Sequence, residues 1–211
     1  MDQQYHNLLE QQCNQIDLEL TTAQYDQLLK YHALLIKWNK AFNLTAVRSP
    51  EEMISRHLMD SLSVLPYIDV ERLIDVGSGP GLPGIPLAIC RPDLPITLLD
   101  SNIKKSRFQF QAKAELGLDN VNVIHERVEK YTPDILFDGV ISRAFASLQD
   151  MIHWTSHLCS DKGIFLAMKG MYPVEEIELL PESINLRQSI RLNVPGTDGE
   201  RHLLKLGRTR P

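Results

Sequence analysis

Two apolar runs enclose four glycines and three prolines in the stretch LIDVGSGPGLPGIPLAI, Leu73 to Ile89. Two carboxylates belong to the same neighbourhood: Asp75 precedes Gly77, and Asp100 closes the next apolar run. A glycine-rich turn that opens a helix suits a nucleotide-like ligand, because the backbone can approach it closely. Gly79 to Gly84 satisfies G-x-G-x-x-G literally, which as a bare pattern suggests a dinucleotide. A pyrophosphate, however, is gripped by backbone N–H groups, and Pro80, Pro83 and Pro86 have none. Asp75 adds negative charge where phosphates would have to approach. S-adenosylmethionine reverses both requirements, since it lacks phosphate and carries an ammonium and a sulfonium. A carboxylate ending the first strand can hold such cations directly or through water. Asp100 can accept the ribose hydroxyls of either ligand, so it supports adenosine without choosing. The prolines choose the methyl donor. Taken as a mere structural turn, Gly77, Gly79 and the two aspartates lose their common explanation.

The rest of the chain narrows what such a protein would methylate. Attack by C5 of a pyrimidine needs a cysteine nucleophile, and Cys90 falls within the helix after the loop, while Cys13 and Cys159 have no suitable setting. Exocyclic amines often call for an Asn/Asp-Pro-Pro-aromatic turn after strand four, where this chain reads ISRAFAS. A guanine N7 needs neither, because its in-plane lone pair carries no proton to remove; alignment and electrostatics suffice. Arg143 and Lys169, at the ends of the fourth and fifth strands, are the candidate catalytic pair, by positioning rather than as general bases. Arg143 is read as an exposed strand-end arginine, whose contacts should fall on O6, a phosphate or the cofactor. Arg48, Arg56 and His57 near the second leader helix, with Arg187, Arg191, Arg201 and His202 in a terminal hairpin, form a candidate phosphate-contacting rim. His153 and His157 are spaced for a metal, but the glutamate of HExxH is missing and no third ligand is evident, so a half-buried helix face is preferred and no metal is expected.

These residues need elements to hold them. From Thr21 to Ala41 the residues Tyr25, Leu28, Leu29, Leu35 and Ile36 keep helical spacing, and Ser49-Pro50-Glu51-Glu52 starts a second helix that ends near Pro66. That helix should bury Met53, Ile54, Leu58, Leu62 and Leu65. Strands are expected at 72–76, 96–100, 121–125, 138–142 and 163–168, with helices between them over 104–116 and 148–158. This alternation implies a mostly parallel sheet covered on both faces. INLRQSIRLNV and RHLLKLGR flank the turn-rich PGTDGE and read as an antiparallel pair at the sheet edge. Residues 1–68 would then be a helical extension packed on the core, and 69–211 the sheet domain, together one compact unit.

Bulk properties limit the partners. A net charge of −5 argues against a nonspecific nucleic-acid coat but allows a local basic patch. MDQQYHNLLEQQ has neither a basic start nor an apolar core, so a secretory signal is not expected. The uncharged run Val76 to Cys90 is too short and too broken for a membrane span. Three separated cysteines suit reduced thiols in the cytoplasm.

IKWNKAFNLTAVR, RHLMDSL, the glycine block, RVE, FDGVISRAFASL and GERHLLKL together resemble the bacterial small-subunit rRNA guanine-N7 methyltransferase G family, also known as glucose-inhibited division protein B. The resemblance runs over nearly the whole chain from Tyr25, and DVGSGPGLPGIPL is its most specific block. It implies a class I S-adenosylmethionine-dependent methyltransferase fold, Rossmann-like, with a seven-stranded mostly parallel sheet. The substrate it implies is N7 of guanine 527 in 16S rRNA, within the small ribosomal subunit or its assembly intermediate, and the protein is expected to act as a monomer. Gly77, Leu82, Val128, Glu129 and Arg143 would be cofactor contacts; Gly79 and Asp100 join them on the structural argument above. Arg56, His57, Lys169, Arg201 and His202 would meet RNA. Against this stand a nicotinamide-dependent oxidoreductase, which needs a general-base histidine that is not evident, and a cofactor-binding regulator without catalysis.

Overall fold

A computed structural model describes residues 3–209; Met1 and Asp2, part of the opening stretch read above, lie outside the described residues. Helix α1 (Gln3–Asn14) lies ahead of the first helix expected from periodicity and buries only Leu9, Gln12 and Cys13. Helix α2 (Thr22–Phe42) starts at a capping box. The Thr21 hydroxyl accepts from the Gln24 amide, and the Gln24 side chain accepts in return from the Thr21 amide. Asn43, in the left-handed region, ends it. Tyr25, Leu28, Leu29 and Leu35 form its buried face, with Ile36 half-buried.

The second leader helix departs from expectation. It begins as foreseen, with the Ser49 hydroxyl capping Glu52 and Pro50 in the first turn. After α3 (Pro50–Met53) it widens into a π-helical turn, Ile54–Met59, before α4 (Asp60–Leu62) and a 3-10 turn, Leu65–Tyr67. The Asp60 amide donates to the Ser55 carbonyl, and the Ser61 hydroxyl donates to the His57 carbonyl at 2.6 Å. One residue is thereby inserted into the regular ladder, which re-aims everything after it. Met53, Ile54, Leu58 and Leu62 are still buried, and Leu65 is half-buried.

The sheet follows as β1 (Leu73–Val76), α5 (Gly84–Cys90), β2 (Ile96–Asp100), α6 (Ile103–Leu116), β3 (Val121–His125), β4 (Phe137–Ser142), α7 (Leu148–Thr155), β5 (Cys159–Lys169), α8 (Val174–Glu178), β6 (Ile184–Arg191) and β7 (His202–Arg208). Its order is β3-β2-β1-β4-β5-β7-β6, with β1 to β5 parallel. β7 runs antiparallel to both β5 and β6. The expected seven strands are all present. β5 begins earlier than expected, at Cys159, and the hairpin inserts its second strand beside β5, leaving β6 at the edge.

Leu73 and Ile74 show how the sheet divides the core. Leu73 joins the apolar cluster of α2, α5 and α6, while Ile74 joins the cluster of α7 and β7 on the opposite face. The first cluster includes Leu28, Leu35 and Leu58 from the leader, Ile96 from β2, and Ile85 and Phe108 from the helices α5 and α6 that cover the sheet. The apolar core is therefore continuous across the 68/69 boundary. Polar ties cross it too: the Tyr31 hydroxyl, fully buried, donates to the Pro80 carbonyl at 2.8 Å.

Tyr31→Phe keeps the ring and leaves that buried carbonyl without its donor. Chemical denaturation should show a loss of about 1–3 kcal/mol; an unchanged midpoint would mean that water replaces the hydroxyl.

Candidate active site

The strand order reverses between β1 and β4, where an open α/β sheet forms its ligand crevice. A hollow of about 340 Å³ opens there, walled by Gly77, Asp100, Val128, Glu129 and Ala144, with Lys105 and Glu126 at its side. Four segments meet in it: the turn after β1, the end of β2, the RVE stretch after β3 and the loop after β4. Gly77 has φ +70, and a Cβ added to it would lie 2.6 Å from that of Ala144. Only glycine lets the first turn pass this close to the loop after β4.

The hydrogen bonds of the glycine turn carry the chemistry further than the sequence did. The amides of Gly77 and Ser78 donate to the Leu99 carbonyl, and those of Gly81 and Leu82 to the Ser78 carbonyl. Gly79 donates to Asp100 Oδ2 and Gly84 to Asp75 Oδ2, both at 2.8 Å, and Ile85 donates to Gly81. Pro80, Pro83 and Pro86 have no amide hydrogen. From Gly77 to Pro86 every amide is either absent or already used. Gln109 of α6, which the sequence reading missed, fixes the turn from behind by donating to Ser78 Oγ and the Gly79 carbonyl.

Among the expected cofactor residues, Gly77, Asp100, Val128 and Glu129 converge on the hollow. Asp100 also accepts from the Asn102 amide, and a carboxylate retains further lone pairs for ribose hydroxyls. Gly79 and Leu82 are not on its wall: the first is turned to Asp100 through its amide, and the second is buried in the core. Asp75 requires a larger correction. Its carboxyl is buried beneath the start of α5, accepts from Gly84 and leaves Oδ1 unpartnered. It does not hold a cation in the crevice. Burial pushes its pKa up to about 7, against the lowering effects of the Gly84 amide and of Arg143.

Arg143 lines a second hollow, of about 300 Å³, shared with Asp60, Met168, Lys169, Arg201 and His202. Ala144, its chain neighbour, lines the first. Consecutive residues of the loop after β4 thus line the two hollows. Arg143 is not the exposed arginine of the sequence reading, and it lines the second hollow rather than the first, where a cofactor contact was expected. Its guanidinium donates to Asp60 Oδ2 at 2.9 Å, while Arg201 Nε donates to Oδ1 at 3.2 Å. Nothing in the local pattern of RHLMDSL announces that Asp60 has a partner 141 residues away.

The RNA-facing expectations divide. Arg56 is exposed and paired only with Glu52, as a rim residue should be. His57 is instead buried: its Nδ1 donates to the Arg56 carbonyl, so Nε2 accepts from the Thr45 hydroxyl at 2.9 Å. Burial, helped by the Arg143 charge, lowers its pKa to about 4 and holds it neutral. His202 is buried as well, its Nδ1 donating to the Gly170 carbonyl. Lys169 lines the second hollow, but its ammonium is held by Glu176 at 2.9 Å and by the Ala146 carbonyl. His157 points its Nε2 at the Val128 and Tyr131 carbonyls, while His153 stacks edge-on against Trp154. The pair does not converge as ligands would. All three cysteines are buried thiols, and burial raises that of Cys90 to about 12, far from a nucleophile's range.

A family model described as GidB, rRNA small subunit methyltransferase G, matches residues 24–204. The ribosomal RNA small subunit methyltransferase G of Pseudomonas syringae pv. tomato is 57% identical over 195 residues, covering 92% of each chain. Its namesake from Pseudomonas aeruginosa PAO1 is 53% identical over 197 residues, covering 93% of this chain and 92% of its own. Among solved structures, the mitomycin 7-O-methyltransferase MmcR shares a TM-score of 0.60 at 12% identity over 90% of this chain and 69% of its own. A methyltransferase from Thiobacillus denitrificans in complex with S-adenosyl-L-homocysteine gives 0.51 at 13% identity, covering 72% of this chain and 91% of its own. At these identities the structural likeness shows the fold alone, and it is the class I methyltransferase fold expected from the sequence.

The buried Asp75 carboxyl gives a pH test. Its folded pKa lies above the unfolded value, so the folded state binds more protons between about 4 and 7, and its stability contribution is lost as pH rises through that window. Asp75→Asn should gain stability relative to the parent from pH 4 to 7, then run parallel above it, in urea titrations. A constant difference across that range would remove the assignment.

Proposed function

Because the chain belongs to the rRNA small subunit methyltransferase G family, we propose that it transfers a methyl group from S-adenosylmethionine to N7 of a guanine in 16S rRNA. The observation that carries this reading is the glycine turn whose amides are all absent or internally paired. Such a turn has no donors for a pyrophosphate, which disfavours the nicotinamide alternative. The residues present fit a cationic adenosine ligand. In this reading Asp100 takes the ribose hydroxyls and the Val128 backbone and Glu129 take the adenine; Asp100, Glu126 and Glu129 outnumber Lys105 and Arg127 among the residues lining the hollow, which supports a cationic ligand. S-adenosylmethionine, once bound, supplies an electrophilic methyl group on a sulfonium.

The chain's own task is then alignment. Guanine N7 presents its lone pair without losing a proton, so no general base is required. The second hollow lies across Ala144 from the first, where an extruded base would come within reach. Arg143 and Arg201 offer guanidinium donors for O6 or a flanking phosphate, leaving N7 free for attack. The exposed Arg56, together with Arg48 and Arg191, serves as a phosphate rim despite the overall charge of −5. We take guanine 527 as the target, acted on in the cytoplasm within the small subunit or its assembly intermediate by a monomer; the family's rRNA small-subunit substrate supports this reading. No described helix is long and apolar enough to cross a membrane.

Calorimetry should show S-adenosylmethionine binding and NAD not binding; the reverse would end this reading. Mass mapping of 16S rRNA from cells with and without the protein should show loss of one N7-methylguanosine. Arg143→Ala should reduce methyl transfer by about 100-fold or more while leaving cofactor affinity near that of the parent. Full activity would remove Arg143 from the site.

A further inference from the structure

The second hollow holds an arrangement that the methyl-transfer chemistry alone does not account for. Arg143 follows β4 and Arg201 precedes β7, far apart in sequence, yet both guanidinium groups meet one carboxylate, Asp60, from the leader helices. The Asp60 side chain is only 10% exposed, and the arginines are 24% and 28% exposed. Asp60 takes its place because the π-helical turn Ile54–Met59 re-aims the helix just before it. Two cations converging on a small hollow would repel each other, and each arginine has many rotamers to choose from. A shared, largely desolvated carboxylate removes both problems at once. Lys169, the third cation of the hollow, is already neutralised by Glu176. Asp60, Arg143 and Arg201 therefore leave one net positive charge along the second hollow.

We propose that Asp60 is a positioning residue for the reaction: it locks Arg143 and Arg201 into a paired guanidinium wall that receives the target guanine in the hollow next to the cofactor pocket. This rests on the reading of the protein as an rRNA guanine methyltransferase. Asp60 does not touch the reacting atoms in this role. It acts through the two arginines, which it prevents from swinging across N7 or out to solvent. One carboxylate between two guanidiniums also moderates the positive field at a purine that gains charge as it is methylated.

The test compares Asp60→Asn, Arg201→Ala and the double variant with the parent, using 16S rRNA in small-subunit particles as methyl acceptor. Asp60→Asn is expected to lower kcat by about 100-fold while S-adenosylmethionine affinity, by calorimetry, changes by less than about twofold. Because Asp60 works through Arg201, the double variant should be far less impaired than the product of the two single losses. Asp60→Glu keeps the charge but shifts the carboxylate by one methylene. It should also lose kcat with cofactor affinity intact, and it carries the test if Asp60→Asn does not fold. Parental kcat in Asp60→Asn, a parallel collapse of cofactor affinity in both variants, or strict multiplicativity in the double variant would each overturn the inference. A parent protein that transfers no methyl group to the rRNA would overturn the functional reading as well, whereas an active parent with indifferent Asp60 variants would overturn this inference alone.

Discussion

The turn between β1 and α5 is closed upon itself, and the character of the site follows from that. Leu99 and Ser78 carbonyls, the Asp100 and Asp75 carboxyls and the Gly81 carbonyl take the amides from Gly77 to Ile85, and the three prolines contribute none. A loop of this kind recognises by shape and by the carboxylates around it, not by donating to an anion. Asp100 is the pivot: one oxygen braces Gly79, the other the start of α6, and the same group faces the hollow. The residue that builds the turn thus also lines the hollow.

Support for the turn comes from two directions. Gln109 reaches it from α6 and Tyr31 from α2, both fully buried. The N-terminal helices are consequently part of the site's scaffold, sharing its apolar core and its hydrogen bonds. Their second contribution is Asp60, delivered by the wide π-helical turn to the carboxyl edge of the sheet. A regular helix through 54–62 would aim that carboxylate elsewhere, and an unusual backbone feature sits where the geometry needs it.

Charge in the second hollow is arranged in compensated groups. Lys169 is matched by Glu176, and the Asp60 carboxylate by two arginines. His57 and His202, attractive as cations when read in isolation, are buried and bound through Nδ1 to backbone carbonyls. The net positive charge is therefore small and local, in keeping with a chain that is acidic as a whole.

Period and punctuation in the chain determined most of the elements, through helical spacing from Tyr25 to Leu35, alternation of apolar runs with helices, and the start at Ser49, but not α1, α8 or the π-helical turn. They also placed the glycine turn and Asp100, because those lie within or just after the strands that carry them, while the RVE stretch came from the family resemblance. Local pattern did not determine which side of an element a polar group faces. Asp75 reads as a strand-end carboxylate and is a buried brace for α5; His57 reads as a rim cation and is a neutral core residue. It also did not determine partnerships between distant segments. Asp60 with Arg143 and Arg201, and Tyr31 with Pro80, exist only once the sheet order and the inserted helical residue bring them together. Sequence spacing fixes periodicity, which is a property of neighbours; desolvation and ion pairing depend on what folds against each residue, and that is settled in three dimensions.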